Sequence, residues 1–135
     1  MKLKVQISWC KKNYCCAWSE PSFGAVIATN KTIAGLKKEF EQSLKEQIES
    51  IIADGDELPE WLAKGDYEIE YELEISAILR NAEQFTTMSA ISKASGINQR
   101  QLTHYALSLK RPRPEQREKI IAGLHHIGET FLAIQ

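Results

Sequence analysis

The chain has 135 residues, 43% of them hydrophobic and 26% charged, with a formal net charge of −1. Those proportions predict folded material, either one domain or two small ones, and exclude an intrinsically disordered chain. No apolar run approaches the roughly 18 residues that a membrane span needs, so no membrane partner is expected, and the opening MKLKVQISW lacks the apolar core of a signal peptide.

Lys2 to Trp9 alternates strictly, with Leu3, Val5, Ile7 and Trp9 on one side, as a half-buried strand does. Cys10 to Asn13 reads as a turn, Tyr14 to Ser19 as a returning strand, Glu20 to Gly24 as a loop and Ala25 to Thr29 as a third strand. A long amphipathic helix follows, opened by Asn30 or Thr32. Ile33, Leu36, Phe40, Leu44, Ile48, Ile51 and Ile52 recur at steps of three and four. Its polar face carries Lys37, Lys38, Glu41, Lys45, Glu46 and Glu49, with an i,i+4 pair at Glu41–Lys45. Asp54-Gly55-Asp56 ends the helix, and Pro59 to Leu62 suits a helical turn. Tyr67 to Leu73 alternates again, with Glu68, Glu70, Glu72 and then Glu74 on the side opposite Tyr67, Ile69, Tyr71 and Leu73. The order β-β-β-α-β predicts a small α+β layer. The three cysteines are Cys10, Cys15 and Cys16. An odd number so close together makes no disulfide framework, and adjacent Cys15 and Cys16 point to opposite faces of a strand. Reduced, partly buried thiols in a cytoplasmic protein are expected. No histidine precedes His104, so no zinc site is expected among them.

The segment TMSAISKASGINQRQLTHYALSLKRP, Thr87 to Pro112, reads as helix, glycine turn, helix and basic loop. Thr87 caps the first helix and Asn98 the second. Met88, Ile91 and Ser95 share one face, and Gly96 supplies the positive φ of a tight turn. Ile97 plugs that turn into the core, while Leu102, Tyr105 and Leu109 form the inward face of the second helix. Gln99, Arg100, Thr103 and His104 are left facing outward, with side chains of the kind that reach base edges in a major groove. Lys110, Arg111 and Arg113 follow at once, as cations suited to phosphates. Charge divides the same way. Residues 1–84 hold ten Lys/Arg against fifteen Asp/Glu, and residues 85–135 hold seven against three.

Two resemblances rest on these residues. The stretch of roughly 75–130 resembles the Cro/cI-type helix-turn-helix family, through Gly96-Ile97, Leu102, Tyr105, Pro112, Ile121 and Leu124. It departs at Ser108, where the family has a glycine, and at Met88, where a polar phosphate contact is common. That resemblance implies base reading by Asn98, Gln99, Arg100, Thr103 and His104 and phosphate contacts from Thr87, Ser89, Lys110, Arg111 and Arg113. The block from Tyr14 to Pro59 resembles the HicB antitoxin family. The carrying residues are the tyrosine-led second strand, Pro21 and Gly24, Thr32 opening the long helix, and the exit Asp54-Gly55-Asp56-Glu57-Leu58-Pro59. The loop Pro21-Ser22-Phe23-Gly24-Ala25 and the pair Asn30-Lys31 depart from the family pattern.

The HicB resemblance implies a partial RNase H-like domain over 1–82, followed by an all-α helix-turn-helix domain over 83–135. It further implies an antitoxin that blocks a small basic ribonuclease of the HicA kind and represses its own operon on double-stranded operator DNA, and since such domains read paired half-sites a homodimer or higher homo-oligomer is expected. Candidate toxin contacts are Trp18, Phe23, Asp54, Asp56, Glu57, Trp61, Glu68, Glu70 and Glu72. The terminal segment Ile127 to Ile134 is the candidate dimer contact, or else it folds back onto the helix carrying Ile120 and Leu124. No catalysis, metal or cofactor is expected. The first strand has no acid, whereas metal-dependent nuclease chemistry needs carboxylates converging from several elements, and no Ser-His-Asp or Cys-His set is visible. The alternative is a stand-alone helix-turn-helix regulator whose first half senses a ligand or dimerises.

Overall fold

The computed structural model describes residues 1–135. The chain divides into two compact units, Met1–Glu74 and Ile75–Gln135. The division falls between residues 74 and 75, not 82 and 83, because the helix Ile75–Ala82 buries Ile75 and Leu79 in the core of the second unit.

The first unit is a four-stranded sheet with helices. Its strands are β1 (Lys2–Cys10), β2 (Asn13–Glu20), β3 (Gly24–Asn30) and β4 (Glu68–Leu73), and its helices are α1 (Ile33–Ala53) and the short α2 (Glu60–Ala63). The order across the sheet is β3-β2-β1-β4. β1–β2 and β2–β3 are antiparallel hairpin pairs, and β4 returns parallel to β1 after the helical crossover. Alternation decides the faces. Leu3, Val5, Ile7, Trp9, Tyr14, Cys16, Val26 and Ala28 are buried with Leu36, Phe40, Leu44 and Ile48 of α1. Trp9 and Tyr14 are register partners and meet edge to face at 5.0 Å, a favoured aromatic geometry.

α1 starts at Thr32, whose hydroxyl accepts from the Gly35 amide at 3.0 Å. It ends in a Schellman motif. Gly55 takes φ +77, its amide donates to Ile52, and the Asp56 amide donates to Ile51. Two expectations for α1 are corrected. Ile52 lies past the covered stripe and is half exposed. Glu41, expected to pair with Lys45, instead accepts from the Tyr71 hydroxyl at 3.0 Å, tying the helix to β4. Lys37 Nζ lies 4.9 Å from the centre of the same ring. Burial raises the Tyr71 phenol well above its usual range, and the bond to the Glu41 carboxylate and its charge add to the effect.

Facing away from α1, the sheet presents Lys2, Lys4 and Gln6 of β1 beside Glu68, Glu70 and Glu72 of β4. The glutamate row expected to meet water or a basic partner is therefore flanked by lysines, which offset part of its charge.

The thiol expectation is also corrected. Cys10 and Cys15 form a disulfide, with Cα atoms 6.1 Å apart. The cause is register. Cys10 pairs with Asn13 and Ser8 with Cys15, so the two cysteines sit diagonally on one face across the β1–β2 hairpin, within the span a disulfide bridges. Cys16 points to the other face, as alternation requires. It is free and buried, and loss of solvent raises its thiol to about 11.

The second unit has four helices, α3 (Ile75–Ala82), α4 (Met88–Ser95), α5 (Gln99–Ala106) and α6 (Pro114–Leu132). Its core joins Ile75, Leu79, Ile91, Ile97, Leu102, Tyr105, Ala106 and Ile120, flanked by Met88, Ile121, Leu124 and Ile127. The terminal segment does not fold back onto Ile120 and Leu124, because it continues the same helix. Phe131, Leu132 and Ile134 are left 60%, 85% and 72% exposed. No helix of either unit is long and apolar enough to cross a membrane.

Thiol counting checks the cysteine assignment. A thiol reagent at pH 8 should find no reactive thiol in the native protein, one after denaturation without reductant, and three after denaturation with reductant. A count of three in denaturant alone would remove the Cys10–Cys15 bond.

Candidate nucleic-acid interface

Each element of the helix-turn-helix is stopped and started by a local bond that its sequence supplies. The Thr87 hydroxyl accepts from the Ala90 amide at 3.1 Å and opens α4. Gly96 closes it at φ +76, with its amide bonded to Ser92 O, a conformation that costs an L-residue about 1–2 kcal/mol. The turn is then tied down from both sides. The Ser92 hydroxyl donates to Ile97 O at 2.6 Å, and the Ile97 amide donates to Ser95 Oγ at 3.2 Å. Ile97 is buried at 4% exposure. Asn98 opens α5, its carboxamide oxygen accepting from the Arg100 amide at 2.8 Å and the Gln101 amide at 3.3 Å.

The residues α5 presents outward can then be sorted by what is already spent. Gln99, Arg100 and Thr103 are exposed and His104 is half-buried. The Thr103 hydroxyl donates back to Gln99 O at 3.0 Å. Gln101 turns inward and donates to the Tyr105 hydroxyl at 2.8 Å. The expectation for Asn98 as a base reader is corrected in part. Its oxygen is committed to the cap, so the bidentate oxygen-plus-amine pairing an amide uses on adenine is not open to it.

α5 ends at a left-handed residue that is not glycine. Ser108 takes φ +61, its amide donates to Tyr105 O at 3.1 Å, and the Leu109 amide donates to His104 O at 2.9 Å. This is a complete Schellman closure made with serine at the left-handed position. It lifts Leu109 out of the helix, so Leu109 is 67% exposed and not part of the inward face as expected. The loop beyond exposes Lys110, Arg111 and Arg113. Arg113 precedes Pro114, which sits in the first turn of α6, a preferred place for proline. Thr87 and Ser89 are both exposed at the start of α4. The second unit holds eight Lys/Arg against four Asp/Glu, and the first holds nine against fourteen.

Sequence reasoning missed two supporting positions. One is Gly123 of α6, where a β-carbon would come within 2.8 Å of the Ser95 backbone nitrogen. The helix carrying Gly123 thus lies against the last turn of α4, just before Gly96. The other is Gln101, whose inward bond to Tyr105 was legible only as an i,i+4 pair.

The acidic unit's candidates are scattered. Asp54, Asp56 and Glu57 are exposed together at the exit of α1. Trp18 and Trp61 are half-buried. Phe23 is corrected as a docking anchor, since it is only 6% exposed and its ring lies 5.5 Å from that of Trp18. No three His, Cys, Asp or Glu side chains come together as metal ligands. No family model, curated protein or solved structure matches the chain.

The close approach at Gly123 can be isolated against Gly128 on the same helix, where a β-carbon would meet nothing within 4 Å. Both alanine substitutions gain the same helix propensity, about 1 kcal/mol. Gly123→Ala should nevertheless be less stable than Gly128→Ala by about 1–3 kcal/mol, the usual cost of overpacking, as measured by denaturant unfolding. Equal stabilities would mean that α6 does not press on Ser95.

Proposed function

We propose that this chain is a DNA-binding repressor that also neutralises a small basic ribonuclease of the HicA kind. Residues 75–135 bind operator DNA and residues 1–74 bind the toxin. The observation that carries the DNA reading is the α4–Gly96–α5 arrangement. A polar helix face is held out by a fixed turn and followed within a few residues by three exposed cations, in a unit of net charge +4. α5 is the groove-reading helix, with Gln99, Arg100, Thr103 and His104 toward bases and Lys110, Arg111 and Arg113 toward phosphates. The exposed Phe131, Leu132 and Ile134 suit contact with a second copy, which paired half-sites require.

The toxin reading is supported by the α+β layer of the first unit, three antiparallel strands, a long helix and a strand that returns to the sheet beside β1, which suits the partial RNase H-like domain that the HicB resemblance implies. It is also supported by the −5 charge of that unit, which would draw in a protein shaped to grip RNA. Asp54, Asp56 and Glu57 are the contact candidates, with Trp61 or Trp18 as anchor. The lysines beside Glu68 and Glu70 weaken the claim of the glutamate row. That same balance of charge favours the second reading, in which the first unit serves dimerisation within a stand-alone regulator.

Two measurements test these readings. On DNA from upstream of its own gene, Arg100→Ala should cost about 1–3 kcal/mol and relax sequence choice, with two protomers bound per site. Lys110→Ala should weaken operator and random DNA alike and reduce the slope of log affinity against log salt by about 1. No change in either affinity with Arg100→Ala would show that α5 is not the reading helix. In cells expressing the neighbouring toxin gene, residues 1–74 should restore growth and residues 75–135 should not. Failure of the full chain to rescue would leave the stand-alone regulator.

A further inference from the structure

On the DNA-binding reading above, the hydrogen bonds inside α5 narrow what each side chain can say to a base. We propose that Thr103 reads DNA through its γ-methyl group, as a contact to the 5-methyl of a thymine, and not through its hydroxyl. The residue is exposed on the outward face of α5, one turn beyond Gln99. Its hydroxyl proton is spent within the helix, on Gln99 O at 3.0 Å. A threonine has one hydroxyl proton, so Thr103 has no donor left for a guanine O6 or N7 or a thymine O4. What remains is the methyl group and the oxygen's lone pairs. The lone pairs belong to an oxygen held down toward the preceding turn.

The neighbours reinforce this. Asn98 has lost its oxygen to the cap of α5 and Gln101 is bonded to Tyr105. Arg100 and Gln99 remain the exposed groups with polar edges to offer next to Thr103. A half-site read by this face therefore pairs polar contacts from Arg100 and Gln99 with an apolar one from Thr103. Thymine is the only base with a methyl in the major groove.

The test uses the full chain and the duplex it selects from a random pool. Each thymine is replaced in turn by deoxyuridine, which removes only the 5-methyl. One position per half-site should lose about three- to five-fold in affinity, the worth of one buried methyl. Thr103→Val keeps a γ-methyl and loses the hydroxyl, and should keep that sensitivity to deoxyuridine. Thr103→Ser keeps the hydroxyl and loses the methyl. It should bind the thymine duplex three- to five-fold more weakly and be indifferent to deoxyuridine at that position. Unchanged thermal unfolding of both variants confirms that the helix is intact. If Thr103→Val is as indifferent to deoxyuridine as Thr103→Ser, or if no thymine methyl matters, the inference is overturned while DNA binding stands. If no sequence is selected and no salt-dependent binding occurs, the DNA-binding reading itself falls and takes this inference with it.

Discussion

The direction in which α5 points depends on four residues, Ser95 to Asn98. Gly96 reverses the chain at φ +76, and Ile97 is driven into the core immediately after it. A buried branched side chain next to a left-handed residue leaves the backbone little freedom. The Ser92 and Ser95 hydroxyls take up the two polar groups of Ile97 that the turn would otherwise strand. Asn98 then starts α5 by filling two of the amides at its N-terminus. α6 backs the assembly, because Gly123 lets it approach the Ser95 backbone more closely than any other residue would. Every outward side chain of α5 takes its position from this joint. A slackened turn would misplace all of them together.

The first unit is organised by a different constraint, the two-residue period of its strands. One face of the sheet is covered by α1 and is almost wholly apolar. The other is mostly polar, with Lys2, Lys4, Gln6, Ser8 and Thr29 beside the glutamates of β4, though Ile27 is also exposed there. The parallel return of β4 beside β1 is what sets lysine against glutamate there. The bond from Tyr71 to Glu41 fixes the seating of α1 over β4 from the inner side, and the disulfide joins the β1–β2 hairpin near its turn on the outer side.

What could be read in the sequence follows from how local its cause is. The strands β1 and β4, the helix α1 and both helix-turn-helix caps depend on alternation, 3.6-residue periodicity or a hydroxyl three residues from an amide, and all of these were legible. The α3 helix was not placed. It is eight residues long, lacks a strong cap signal, and becomes a helix by burying Ile75 and Leu79 against residues well downstream. The disulfide was missed because pairing Cys10 with Cys15 requires the hairpin register, which is set by the whole β1–β2 ladder. Phe23 looked like an exposed loop aromatic and proved to be core, since a loop with proline and glycine can still turn one large side chain inward. Leu109 fits the helical period of α5 but lies beyond the Ser108 reversal, which takes a conformation serine seldom adopts.

The distribution of charge bears on how such a unit could hold DNA at all. On the proposed DNA-binding reading, one protomer with three exposed cations in its loop would make few phosphate contacts. At physiological ionic strength screening acts over about 8 Å, so the −5 of the first unit would not cancel a phosphate contact made by the second unless the two sites lay close together. A single copy would nevertheless bind weakly, since non-specific affinity grows with the number of phosphates neutralised. Two copies held together double that number without adding cations to either. The second half-site is then met at the high effective concentration that linkage supplies. On that proposal the exposed apolar end of α6 and the modest basic loop would serve one arrangement. The loop need not be strongly basic if the helix end brings a second loop to the same duplex.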